Sequence, residues 1–420
     1  MLDIKFIREN IDKIKDGCRK KQVNCDVDLL LEVDKKRREL LQKVEALKSE
    51  KNKLGRDDKE KAKEIKISIK KIEPELEAVE KEFNNLMREI PNMPLDDVIE
   101  GKNDNDNKVL REQGEKPKFD FEPKDYLEIA EKLDIIDVER AAKVSGTRFG
   151  YLKDEAVLLE FALAQLALNV TKEYGFRPVI PPVMLKEKAM RGMGYLDRGK
   201  DEVYFLEKDG LYLVGTSEQS IGAMYMNEVF EEEILPLRYI GFSTCFRREA
   251  GAYGKDTKGI LRVHQFDKLE MFSFCHPDKS KEEHTLFLEI EEKLMKLLKI
   301  PYRVINICSG DLGDPAAKKW DIEAWMPSSN EYRETHSTSN CTDWQARRLD
   351  IRYRGKDGLK FVHTVNGTAF AIGRIIIAII ENYQQEDGSI RIPEVLQKYI
   401  GGKQCIEKSL LEKKGDMSEK

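Results

Sequence analysis

The sequence predicts an α+β protein in which an antiparallel two-helix coiled-coil arm precedes a globular region of strands and helices. Three observations carry this expectation. From about Val27 to Ile90, Gly and Pro nearly vanish, charge is dense, and apolar residues recur at alternating steps of three and four, the seam of a coiled coil. The stretch 99–118 (IEGKNDNDNKVLREQGEKPK) is polar and reads as a linker. Beyond it the chain passes repeatedly between period-2 stretches and longer helical ones.

Residues 1–26 read as a small amphipathic segment. In the first arm helix Leu30, Val33, Leu40, Val44, Leu47 and Leu54 keep one register, interrupted by Arg37 and Lys51. In the second, Ala62, Ile65, Ile69, Ile72, Leu76, Val79, Phe83, Leu86 and Ile90 continue it, with Gly55–Asp58 as the turn. Two helices of about 30 residues make an arm of about 45 Å at 1.5 Å per residue. Pro74 lies off the seam, where it kinks a helix rather than breaking the packing. Residues 48–71 carry ten Lys/Arg against five Asp/Glu, and residues 72–89 two against six. A charge run is ordinarily a solvated face; a basic tip on an arm also suits RNA phosphate.

The globular part reads as a helix at 125–142, a long apolar helix at 154–173 and a short strand at 175–182, stopped by Pro181 and Pro182. Leu211–Glu218 is strand into turn, followed by a helix at 219–230. Strands are expected at 242–249, 260–274, 302–308, 320–326 and 361–365, with helices at 280–299 and 367–383. The charged tail after Cys405 reads as disordered.

Length and composition bound the possibilities. A chain of 420 residues accommodates two or three domains. The net charge of −5 requires any nucleic-acid partner to meet a local basic patch. Seven cysteines without a CxxC pair, no secretory apolar core and no run of transmembrane length point to a soluble, reduced, cytoplasmic protein.

The stretch 246–272 (FRREAGAYGKDTKGILRVHQFDKLEMF) concentrates the chemistry. Two strands flank a loop with Gly251, Gly254 and Gly259, bringing Arg247, Arg248, Arg262, His264 and Phe266 onto one hairpin. Guanidinium groups match phosphate oxygens and an aromatic face stacks on a base. A charged surface ribbon is the alternative. Four further clusters stand out. Thr216–Glu218 ends a strand, and Glu270 is an acid in an apolar strand, costly unless a ligand or an Arg pairs with it. Glu334–Asn340 groups a carboxylate with hydroxyls of the kind that hold Mg²⁺, or else begins a capped helix at 337–340. Arg374 lies in Asn366–Arg374 (NGTAFAIGR), on an apolar stretch where a cation requires an anion. The histidines and cysteines lack metal-ligand spacing, so no zinc is expected, and no GxxxxGK[ST] loop occurs.

In order along the chain, MLDIKFIREN, the arm, IPN, VSGTRF, TSE, FRREAG, RVHQF, QARR and NGTAFAIGR resemble the class II aminoacyl-tRNA synthetases, and within them the seryl-tRNA synthetase family. The resemblance implies a mostly antiparallel six-stranded sheet with flanking helices. It implies an N-terminal tRNA-binding domain at 1–104 with the arm at about 27–90, a catalytic domain at 112–405 and a tail at 406–420. The activity implied is serine–tRNA ligation: ATP-dependent formation of seryl-adenylate, then transfer to the 3′-terminal adenosine of tRNA(Ser), with tRNA(Sec) as a further acceptor. A catalytically inactive RNA-binding paralogue is the alternative.

The same resemblance implies roles. Arg247 grips the α-phosphate, Glu249 reads the adenine amino group, Phe266 stacks on adenine beside Val263, and Arg374 meets the γ-phosphate. Arg248, Thr335 and His336 join the ATP site, while Glu334 and Ser337 hold Mg²⁺ and ATP. Thr216, Ser217 and Glu218, with Arg247, receive serine's charged end, and Glu270 with Thr368 its hydroxyl. A homodimer through the region of Gly175–Pro182 is implied. Arg248, the Thr335–His336 pair and Thr368 depart from residues common in the family.

Overall fold

The computed structural model describes residues 1–55, 58–250 and 258–408. The expected turn residues Arg56 and Asp57, most of the hairpin loop (251–257) and the tail from 409 lie outside them. Two compact units result, Met1–Pro94 and Leu95–Lys420.

In the first unit, helices Ile4–Glu9 and Ile11–Lys20 precede α1 (Val27–Lys53) and α2 (Lys59–Glu89). The Asp26 carboxylate accepts the Leu29 N–H at 2.8 Å and caps α1. Leu30, Val33, Leu40 and Val44 of α1 are buried, as are Ile65, Ile69, Val79 and Phe83 of α2, the stripes that the periodicity predicts. Ion pairs Lys36–Glu75 (2.8 Å), Arg37–Glu80 (3.6 Å) and Lys61–Glu50 (3.1 Å) run in opposite directions along the two helices, fixing an antiparallel register. Arg37 interrupts the seam without breaking it, because its guanidinium lies 4.6 Å over the Phe83 ring. Pro74 stays inside α2 at an exposed position.

In the second unit, eight strands form one sheet: β1 (Lys108–Gln113), β2 (Arg177–Val179), β3 (Leu237–Phe246), β4 (Gln265–Cys275), β5 (Tyr302–Asn306), β6 (Lys318–Met326), β7 (Glu331–Thr342) and β8 (His363–Ala371). Their order is β1-β5-β6-β7-β8-β4-β3-β2. The six central strands are antiparallel, as expected. An exposed edge strand, β1, pairs antiparallel with β5, and β2 pairs parallel with β3 at the other edge. The segment expected as linker therefore contains a strand. The units divide near residue 94 rather than 104, because Leu95 N–H bonds to Ala317 O (2.9 Å) and Ser309 N–H to Ile99 O (2.9 Å).

Alternation along the strands separates two chemistries. Leu269, Met271, Ile322 and Val365 face a core built with α3 (Asp154–Lys172), α4 (Ser280–Leu298) and α5 (Ile372–Asn382). Lys268, Glu270, Ser337, Asn366 and Thr368 occupy the opposite face. That polar face is the floor of the site.

Several expected elements differ. The 125–142 helix is two, Tyr126–Lys132 and Val138–Ser145, since Asp137 accepts the Arg140 N–H (2.8 Å) and starts a new helix. The 219–230 helix ends at Ala223, and Val229–Glu231 pairs parallel with 352–354. Residues 334–340 lie within β7 instead of starting a helix, and 367–371 continue β8 because β4 offers ladder partners as far as Ala371. Among the described residues, no helix is long and apolar enough to cross a membrane.

Gly367, between two residues of the polar face, packs on α4. A methyl there would sit 2.8 Å from Glu291 Oε1 and 2.9 Å from both Phe287 and Thr338 Oγ1. Gly367→Ala is expected to destabilise the second unit by about 1–3 kcal/mol, read from the urea midpoint; an unchanged midpoint would show that α4 yields freely.

Candidate active site

A bulge sets the phase of β7. Glu323 faces Glu334 and Ile322 faces His336, which leaves Thr335 as an extra residue. Glu334 and Ser337 are three apart and would otherwise point to opposite faces; the bulge puts both on the polar one. Thr335 and His336 are buried beneath it. The Thr335 hydroxyl donates to Ile322 O at 3.2 Å and lies 2.9 Å from His336 Nδ1. Burial pushes His336 down to about 3. Their side chains are thus interior.

Over this floor lies a cleft of about 580 Å³ bordered by Arg247, Glu249, Arg262, Glu334, Arg374 and Thr216. Arg247 lies 5.4 Å over the Phe266 ring and its Nε donates to Gly215 O at 3.3 Å. Glu249 has a left-handed backbone (φ +50°), held by Arg148, which donates to its carbonyl at 3.1 Å, while Arg262 lies 3.6 Å from its carboxylate. Arg374 donates to Glu334 O at 2.9 Å and pairs with its carboxylate at 3.4 Å, so the cation on the apolar stretch has its anion. The cleft walls oppose charge on Glu334, whose side chain is 48% exposed, but Arg374, Lys319 and Arg247 outweigh them and hold the carboxyl at about 2. Burial raises Asp321, opposite Ser337, to about 7 although Lys319 lies 3.2 Å away. Arg248 instead lies 5.4 Å over Tyr204, and Val263 is buried in the core.

The other end is anionic and enclosed. Glu218 is buried; its Oε2 accepts from the Tyr195 hydroxyl (3.0 Å), its Oε1 from Gln345 (3.0 Å) and Asn366 (3.2 Å). Its own N–H donates to Thr216 Oγ1 at 3.3 Å. Burial, with Glu270 nearby, raises Glu218 to about 7. Glu270 Oε2 accepts from Thr368 at 3.2 Å and pairs with Lys268 at 2.5 Å. Ser217 is fully buried and its hydroxyl donates to Gly241 O at 3.2 Å, a bond that ties the turn to β3.

The expected residues Arg247, Glu249, Glu334, Ser337, Arg374, Thr216, Glu218, Glu270 and Thr368 thus gather around one cleft and its floor. Sequence reasoning missed Lys268, although its place two residues before Glu270 on one strand put both on one face. Gln345 and Asn366 stood within quoted motifs without a role, and nothing in the sequence marked Tyr195. Lys268→Met would strand a buried carboxylate; a loss of about 3–5 kcal/mol is expected. Denaturation at pH 7 measures it, and a loss below 1 kcal/mol would mean that Glu270 has another counter-charge.

The family model "Seryl-tRNA synthetase N-terminal domain" matches residues 1–94, and "tRNA synthetase class II core domain (G, H, P, S and T)" matches 204–383. A serine–tRNA ligase of Treponema denticola is 46% identical over 96% of this chain and 99% of its own. The crystal structure of seryl-tRNA synthetase from Pyrococcus horikoshii complexed with ATP superposes with a TM-score of 0.90 at 41% identity, covering 97% of this chain and 100% of that one. That of the cytoplasmic serine–tRNA ligase of Naegleria fowleri in complex with AMP gives 0.87 at 36% identity, covering 97% and 99%. Similar in sequence over nearly its whole length, and in fold to enzymes solved in complex with ATP or AMP, the chain belongs to the seryl-tRNA synthetase family of class II aminoacyl-tRNA ligases.

Proposed function

We propose that the chain activates L-serine with ATP to give seryl-adenylate and pyrophosphate, then transfers the seryl group to the 3′-terminal adenosine of tRNA(Ser), with tRNA(Sec) as a second acceptor to assay. The observation that carries this reading is the two-ended cleft. Arg247 and Arg374 offer cations to a triphosphate, while Glu218 and Glu270 offer buried carboxylates to an ammonium and a hydroxyl.

Each group then has a task. Serine's carboxylate is already a nucleophile, so no protein base is required. Glu218 and Thr216 hold its ammonium, and Glu270 with Thr368 its hydroxyl. A serine carboxylate oxygen bonds to the α-phosphorus as the α–β phosphoanhydride bond breaks and pyrophosphate departs with that electron pair. Arg247 stabilises charge on the α-phosphate and Arg374 on the departing group. Phe266 receives the adenine ring, with the core residue Val263 packed behind that site, and Glu249 its amino group. The tRNA ribose hydroxyl then attacks the seryl carbonyl and AMP leaves.

Glu334, Ser337 and Asp321, whose buried Oδ1 has no hydrogen-bond partner, form an oxygen set suited to Mg²⁺, which favours one or two carboxylates plus substrate phosphates. Bound there, Mg²⁺ supplies positive charge to the phosphates. The exposed apolar residues Leu158, Phe161 and Ile180 on α3 and beyond β2 support a homodimer, whose mass light scattering reads directly. The proposed site of action is the cytoplasm.

Amino-acid-dependent ATP–pyrophosphate exchange tests the reading. Serine should support exchange. Alanine, which cannot fill the Glu270–Thr368 site, should be rejected about 10⁴-fold and threonine about 10–200-fold. Arg247→Ala should lower the rate at least about 100-fold. Glu218 must be ionised to bind an ammonium, so the serine KM should climb as pH falls below about 7, while Glu334, at about 2, stays ionised. No exchange by folded protein would favour the inactive RNA-binding paralogue.

The basic stretch of the arm is proposed to meet tRNA phosphates. Reversing Lys59, Lys63 and Lys66 to Glu should weaken tRNA binding and flatten its salt dependence, with serine exchange unchanged; undiminished affinity would remove the arm tip from the tRNA site.

A further inference from the structure

Of the donors to Glu218, two reach Oε1 from elements covering or forming the sheet: Gln345 on the helix Trp344–Leu349 and Asn366 on β8. Oε2 is held from elsewhere. Tyr195 lies in the segment 194–203, which walls the cleft without joining the sheet, and its hydroxyl donates at 3.0 Å. That segment is fastened just beside Tyr195. Gly194 (φ +97°) packs so close to Trp344 that a methyl there would lie 2.6 Å from the indole. Asp197 accepts from Arg191 at 2.7 Å and pairs with Arg348, whose guanidinium lies 4.3 Å over the Trp344 ring. Arg198 pairs with Asp314 at 2.7 Å. The helix that supplies Gln345 therefore also sets where Tyr195 stands.

We infer that Tyr195 is a positioning residue for the substrate's ammonium group: its hydroxyl orients Glu218 Oε2 and favours the charged carboxylate, coupling amino-acid recognition to the wall 194–199. The inference rests on the serine-activating reading and deepens it. Glu218 is faced by Glu270 and Lys268 from β4, by Gln345 and by Asn366, with Arg247 and Cys341 near Tyr195. Burial and Glu270 favour the neutral acid; Gln345, Lys268 and Tyr195 favour the anion. A hydrogen bond to a charged group is among the stronger ones. Its loss would lower the ionised fraction near neutral pH and free the carboxylate to rotate, while the arginines at the nucleotide end keep their contacts.

Tyr195→Phe in the full chain removes one oxygen and keeps the ring. Serine and ATP KM values from pyrophosphate exchange are measured between pH 6 and 9, beside the thermal midpoint. The expected result is a rise of about tenfold or more in serine KM at pH 7. ATP KM should stay within about twofold, and the pH below which serine KM climbs should move upward. An unchanged serine KM overturns the inference alone. Equal rises in both KM values with an unshifted pH profile also overturn it, since they mark a structural role. No serine exchange by the unsubstituted chain overturns the proposed function and this inference together.

Discussion

Glu218 and Glu270 are buried close enough to repel each other, and much of the second unit answers that constraint. Neither carboxylate can be left bare, because an uncompensated buried charge costs several kcal/mol. Glu270 receives Lys268 and the Thr368 hydroxyl. Glu218 receives three neutral donors and no direct ion pair among the described contacts. The difference has a chemical sense: a carboxylate already paired to a lysine accepts a hydroxyl, whereas one surrounded by neutral donors still attracts a cation.

Supporting such a cluster demands a sheet with two unlike faces. Alternation delivers them, but only if the strands keep phase, and β7 would lose phase at the site without its extra residue. The bulge at Thr335 costs one regular ladder position and turns Glu334 and Ser337 to the same side. A second local distortion, the left-handed backbone at Glu249, is worth about 1–3 kcal/mol of strain. Arg148 and Arg262 hold that turn. Both irregularities lie at the cleft, where function rather than regular pairing sets the geometry.

The cleft is polarised along its length. Arg374, Lys319 and Arg247 depress Glu334, while burial and mutual repulsion raise Glu218. Two carboxyl groups of one cleft are therefore shifted in opposite directions, Glu218 up and Glu334 down. One remains an anion under all ordinary conditions and the other is poised near neutrality, so the amino-acid end is the pH-sensitive one.

The sequence by itself determined the coiled-coil helices, whose contacts follow a period of 3.5 residues, and the hairpin of β3 and β4, whose alternation is local. Arg247, Glu249, Glu270 and Arg374 were legible for the same reason, being charges in otherwise apolar or glycine-rich surroundings. Tertiary structure alone decided the rest. Residues 334–340 fit a helix start or a strand equally well until β6 and β8 pair on either side, and 108–113 is a strand only because β5 borders it. Thr335, His336 and Ser217 carry site-like chemistry yet point into the protein, because a one-residue bulge and a close packing turn, neither encoded by residue type, set their direction. Tyr195, Gln345 and Asn366 meet at Glu218 from segments far apart in the chain; only the closed fold brings hydrogen-bond partners so distant within 3 Å or so of one carboxylate.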